Sequence, residues 1–266
     1  MRGLQFWLIL ATVLLTASTA QAYQQVVTET GKVVAWPTDQ VGFTIHQEIP
    51  PGWDQSTVEA IVLASKEPWE SLECGKLNLE FQGWTYEGSP DLFDKKNGVY
   101  WIQEGWQFGS TLMAITLLEF SKFTGELRDA DILVNNDQKT FDVDSFCDPS
   151  GLNYDLQNIL THEFGHFVGL NHSDDSEATM FADTFEEECA KRELHPDDEA
   201  GFCATYDRGD IIAADASAED VASSAEVDSG ASDGCGARSG HSPHGPWLAL
   251  LGLALWMARQ RRHLQS

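Results

Sequence analysis

Residues Thr161 to His172 read T-H-E-F-G-H-F-V-G-L-N-H. A helix advances about 100° per residue, so His162 and His166 stand one turn apart on one face, where both can reach a single zinc ion. Leu160, Phe164 and Phe167 then point the other way, into a core. Gly169 can take the positive-φ conformation that ends a helix and turns the chain back, which lets His172 supply a third nitrogen and leaves a fourth position open for water. Glu163, next to the first ligand, is suited to take a proton from the attacking water and pass it to a leaving amine. Zinc in such a site lowers the pKa of water from about 15.7 toward ~7, which suits hydrolysis near neutral pH. A bare H-E-x-x-H arises by chance in roughly one chain in a hundred of this size. Requiring Gly169 and His172 lowers coincidence by about three further orders of magnitude.

Such a helix needs a scaffold. Ser56-x-x-Glu59 can form a capping box for an earlier helix through Ile61 and Leu63, with Pro68 ending or kinking it. Leu77 to Phe81, Val99 to Ile102, Leu112 to Phe120 and Ala130 to Val134 are short apolar or alternating runs separated by Gly, Asn and Asp, so they read as strands. Helix, strands, helix predicts an α+β domain.

The ends have a different character. Arg2, an apolar run from Phe6 to Leu15 and small residues leading to Ala20-Gln21-Ala22 have the layout of a cleavable signal over 1–22, with the mature chain starting at Tyr23. An uncleaved anchor is the alternative; the apolar run is shorter than a bilayer span. The globular composition runs to 208, and 209–234, rich in Ala, Asp, Ser and Glu, reads as an acidic disordered linker. The final stretch, 235–266, carries Cys235, an apolar run from Trp247 to Ala258, and Arg259, Arg261 and Arg262. About twelve apolar residues rise only about 18 Å as a helix, against a hydrocarbon core of about 30 Å, so a processed sorting signal is expected rather than a permanent span. A short tail anchor with the arginines on the cytoplasmic side is the competing reading.

All 42 acidic residues lie between Glu29 and Asp233, and the stretch from Tyr23 to Gly234 holds 11 basic residues, for a charge of −31. That excludes nucleic acid as an expected partner. Cys74, Cys147, Cys189 and Cys203 fall in the domain, and export makes two disulfides plausible. Three pairings are open. Cys189 with Cys203 and Cys74 with Cys147 is the favoured one. Thiolate zinc ligands are not expected, because no C-x-x-C spacing occurs.

The extended histidine motif resembles the metzincin metallopeptidases, and Ser173 directly after it resembles their matrixin branch, the relatives of matrix metalloproteinases. Ala178-Thr179-Met180-Phe181 is similar to that family's Met-turn, which would put Met180 beneath the histidines without binding metal. Leu194-His195-Pro196-Asp197-Asp198-Glu199-Ala200-Gly201, followed by Ala204-Thr205-Tyr206, resembles the family's closing helix. His195 is weighed there as structural rather than as a ligand. The likeness extends from Val33 to Tyr206. It implies a twisted, mostly parallel sheet with an antiparallel edge strand, an active-site helix bearing the zinc motif and a C-terminal helix. It also implies protein or peptide substrates bound by β-augmentation, and Leu112 to Phe120 is the candidate edge. The tail separately resembles myxobacterial C-terminal sorting signals, in which Cys235 or the tail would provide membrane attachment.

Departures from the family shape the expectations. About ten residues separate Tyr23 from Val33, so no inhibitory cysteine of a propeptide is expected. The proline of the vertebrate specificity-pocket wall does not follow Met180, so side-chain preference does not carry over. Calcium is a candidate cofactor through Asp129, Asp131, Asp137, Asp142 and Asp144, although a solvated loop carboxylate is the ordinary role for each. The leading expectation is a secreted or surface-anchored, monomeric zinc endopeptidase acting on extracellular proteins. A zinc-holding adhesion module without activity would not need Glu163, and a hydrolase of nonpeptide amides is a third reading that substrate profiling separates.

Overall fold

Val41, Phe43 and Ile45 alternate with Gly42 and Thr44, and this period of two puts three large apolar side chains on one face of a strand. That strand is an inner strand of the main sheet, one in from an edge. The structure, a computed structural model, describes residues 21–88, 90, 94–143, 153–186, 188–207, 230–231 and 236–237. Most of the signal, the linker and the tail, together with Cys147 and Asp144, lie outside the described residues.

In chain order the elements are β1 (Gln24–Gln25), β2 (Gln40–His46), α1 (Gln55–Glu70), β3 (Asn78–Thr85), β4 (Gly98–Ile102), β5 (Ala114–Phe120), β6 (Leu127–Asn135), β7 (Phe141–Asp142) and β8 (Tyr154–Asp155). Then come α2 (Leu156–Phe167), β9 (Leu170–Asn171), β10 (Asp183–Thr184), a 3-10 turn at Ala190–Arg192, α3 (Pro196–Tyr206), β11 (Gly230–Ala231) and β12 (Gly236–Ala237). The main sheet has the order β11-β5-β6-β4-β2-β3. β3, β2, β4 and β6 are mutually parallel, and β5 is antiparallel to β6. This is the expected mostly parallel sheet with an antiparallel strand toward one edge. β6 is buried at eight of its nine positions, as suits a strand covered on both faces, whereas β3 alternates at its start.

Three local expectations are corrected. α1 is capped by Asp54, not Ser56: the Asp54 carboxylate accepts from the Thr57 N–H at 3.0 Å, while Glu59 accepts the Trp84 Nε1–H at 2.6 Å and so serves tertiary packing. Pro68 does not end the helix. It falls in the last turn, and Trp69 beyond it, still helical, is 1% exposed. The favoured disulfide pairing is also overturned, since Cys74 bonds Cys203 across a Cα separation of 5.3 Å. Sequence proximity favoured Cys189 for Cys203, but α3 packs its Phe202 and Tyr206 against the turn after α1, where a Cβ on Gly75 would lie 2.7 Å from Tyr206 and 2.8 Å from Phe202. Cys189 is itself disulfide-bonded.

β2 was not foreseen, though its alternation was available to find it. Leu160, Phe164 and Phe167 do enter the core, where Phe164 and Phe167 meet Phe43 of β2. The N-terminal segment is tied down by β1 pairing with β9, and by the Ala22 N–H donating to Asp197 at 2.9 Å.

Candidate active site

α2 starts where Asp155 accepts the Asn158 N–H at 2.6 Å, and the Arg192 guanidinium holds that same carboxylate. The helix ends at Phe167. Gly169 then takes φ +90°, and a Cβ there would lie 2.3 Å from the Val34 carbonyl oxygen, so both conformation and space require glycine. The turn carries His172 back to the other two histidines.

The ring nitrogens of His162, His166 and His172 capable of binding metal all lie within 4.8 Å of one another, and His166 Nε2 and His172 Nε2 are 3.2 Å apart. Among the described residues this is the one such group of three or more histidine, cysteine or acidic side chains. His162 Nδ1 faces the Thr179 carbonyl at 2.6 Å, and His166 Nδ1 faces the Leu170 carbonyl at 2.8 Å. A carbonyl only accepts, so each Nδ1 carries the proton and each Nε2 keeps its lone pair for a metal. His162 Nε2 is buried and has no hydrogen-bond partner among the described residues. Burial, then the electrostatic influence of His166, Lys191 and His172, holds the His162 pKa well below its ordinary value. Burial and Lys191 push His172 down to about 4. Neutral, convergent imidazoles with one orphaned buried nitrogen fit a zinc ion, and these three residues would hold it.

Glu163 is fully buried beside His162, and its Oε2 accepts the Thr116 hydroxyl of β5 at 2.6 Å. Beneath the helix, a Cβ on Gly165 would meet Met180 Sδ at 2.1 Å and Trp69 Cζ2 at 2.8 Å, so the absence of a side chain lets Met180 close against α2. The Met180 turn is held from α3. The buried Asp198 carboxylate accepts the N–H groups of Thr179 at 2.7 Å, Met180 at 2.9 Å and His195 at 2.9 Å. His195 Nδ1 accepts the Asp197 N–H as a helix cap, the structural role expected of it. The buried Lys191 ammonium donates to the carbonyls of Phe181 and Asp183 at 2.6 and 2.7 Å, which fixes the segment leading into β10.

The four predicted site residues are thus brought together. Thr116, Lys191 and the roles of Asp198 and Thr179 were not foreseen, because no local spacing links them to the motif. Of the carboxylates considered for calcium, Asp129 accepts from the Lys95 N–H, Asp131 from the Gly98 N–H, Asp137 from the Trp106 N–H and Asp142 from Asn153, while Asp144 lies outside the described residues.

A mostly parallel sheet over a three-histidine helix, closed by a methionine turn, defines a metzincin-type zinc peptidase scaffold. The matrixin family pattern matches residues 35–207, and the chain belongs to that family of metallopeptidases. No curated protein matches the chain.

Proposed function

We propose that this matrixin is a zinc-dependent endopeptidase of extracellular proteins, with His162, His166 and His172 as zinc ligands and Glu163 as general base. The observation that carries the reading is the buried, unpartnered His162 Nε2 beside a buried Glu163 that the Thr116 hydroxyl orients. Zinc, when bound, polarises the substrate carbonyl and acidifies water. Glu163 takes the proton from the attacking water at its carboxylate and delivers it to the departing amine, while Thr116 keeps that carboxylate aimed. The outer side of β5, which pairs with β11 at Leu117 and Leu118, is the edge where an extended peptide would add as a strand.

Export is part of the same proposal. The signal layout over 1–22 and the Cys74–Cys203 disulfide support it, since such bonds persist in oxidising compartments, and the Cys235 tail supports attachment at the cell surface. The test is zinc stoichiometry and hydrolysis of a quenched casein substrate, measured for the full chain and for a form ending at Asp207, each beside Glu163→Ala. One zinc per chain, with chelator-sensitive cleavage by at least one form that Glu163→Ala abolishes, is expected. Stoichiometric zinc with no cleavage of casein or a diverse peptide library by either form would overturn the peptidase reading.

A further inference from the structure

Two strands beside the histidine cluster each pair with a short strand from beyond α3, one from the end of the linker and one from the start of the tail. Gly230 and Ala231 lie antiparallel to Leu118 and Leu117 of β5, and Gly236 and Ala237 lie parallel to Asp183 and Thr184 of β10. Each of these host strands borders the histidine cluster. Thr116, adjacent to Leu117 on β5, bonds Glu163. The Thr184 hydroxyl accepts from Asn158, one turn before His162 on α2, and β10 begins three residues after Met180. The first of the two pairings is antiparallel and the second parallel, so each is a main-chain contact of the kind an extended peptide makes. Ala231 and Gly236 are five residues apart, so at most about 18 Å separates the two pairings.

We propose that the tail strands Gly230–Ala231 and Gly236–Ala237 occupy the peptide groove in cis, so that an external substrate must displace them. The proposal rests on the reading of this cleft as a peptide groove. Main-chain pairing suits these residues, because Gly-Ala pairs make no demand on side-chain pockets. It also covers the outer edge of β5, whose unpaired N–H and C=O groups would otherwise invite another chain. Tethering favours it further. Asp207, at the end of α3, precedes Gly230 by 23 residues, so pairing of these strands with the domain is an intramolecular event, unlike the binding of an external peptide. The tail thereby supplies a means of latency that does not depend on a propeptide.

The test compares the zinc-loaded full chain with its Ala231→Pro/Gly236→Pro variant, because proline has no N–H to donate and is poorly accommodated within a paired strand. Hydrogen exchange is followed over 114–120 and 182–185, with 127–135 reporting on the intact sheet, and hydrolysis of a quenched peptide is followed in parallel. Exchange over 114–120 is expected to rise at least about tenfold in the variant, as for loss of one or two net hydrogen bonds, with 127–135 unchanged and peptide hydrolysis increased by a similar factor. Ser223→Pro, in neither pairing, should change nothing. Unchanged exchange over both host segments overturns the proposal whatever the activity does. Faster exchange with no hydrolysis by either chain supports occupancy by the tail and counts instead against the peptidase reading. Faster exchange over 127–135 as well signals loss of fold, and single Ala231→Pro then decides by the same criteria.

Discussion

Replacing Asp198 with alanine should weaken zinc binding from a position that touches no zinc ligand. The carboxylate accepts three backbone N–H groups, two of which belong to the buried residues Thr179 and Met180. In alanine those two donors have no acceptor, and each costs about 1–3 kcal/mol, or about 2–6 together. Burial raises the Asp198 pKa, so the wild-type chain already carries a desolvation cost that the substitution relieves. The net loss therefore falls in the lower part of the range, about 2–4 kcal/mol, or a drop in Tm on the order of 5–15 °C for a domain of this size. The loss reaches the metal through the Thr179 carbonyl, which holds His162 Nδ1 at 2.6 Å. A loosened partner of that kind costs about 10–100-fold in metal affinity. Urea unfolding and competition with a zinc chelator read the two effects, with Glu199→Ala, on the same helical turn but exposed, as the control. If Asp198→Ala lies within about 1 kcal/mol of Glu199→Ala and binds zinc as wild type does, the argument that α3 holds the methionine turn is wrong.

Four further outcomes follow from the same structure. Thr116→Val deletes the hydroxyl bonded to Glu163, and losing a hydrogen bond to a carboxylate, about 1.5–3 kcal/mol, should lower kcat/KM by about 10–100-fold with zinc stoichiometry intact; unchanged kinetics would remove Thr116 from the site. Gly165→Ala gains about 1 kcal/mol of helix propensity but forces Met180 and Trp69 aside, so a net loss of about 1–2 kcal/mol is expected in thermal unfolding, and a gain would refute the close contact. Asp129 is pushed up to about 7 by burial, opposed by the Lys95 N–H and reinforced by Asp94 and Glu119. Its folded form holds a proton that the unfolded chain has released, so stability falls as pH rises from the ordinary carboxylate range to about 7, and Asp129→Asn should be at least about 1 kcal/mol more favourable at pH 8 than at pH 5 in urea titrations; equal effects at both pH values would contradict this. Replacing Cys74 and Cys203 together with alanine opens a link spanning 129 residues, with an expected cost of up to about 5 kcal/mol in denaturant unfolding, and no loss would mean that the denatured chain is already constrained there.

The zinc motif was legible in the sequence because its geometry is local. Helical period alone aligns His162 with His166, and Gly169 alone makes the turn that returns His172, so spacing and conformation carry the information. The same holds for the inward face of α2 at Leu160, Phe164 and Phe167, and for the short strands, whose positions were read closely although their ends shifted by up to four residues. β2 escaped notice despite its alternation, and the cap of α1 was misplaced because Ser56 and Glu59 satisfy the pattern while Asp54 has the better reach. Other features depend on which distant segments meet. Cys203 had a near neighbour in sequence at Cys189, yet the packing of α3 on the turn after α1 placed it against Cys74. Thr116 reaches Glu163 across 47 positions, and Asp198 reaches Met180 across 18 because α3 folds back over the methionine turn. Residue types and periods within one turn of helix or one strand are written along the chain, and they determined which side chains could bind a metal. The groups that aim, support and cover those side chains lie far apart along the chain, and only tertiary packing decided them.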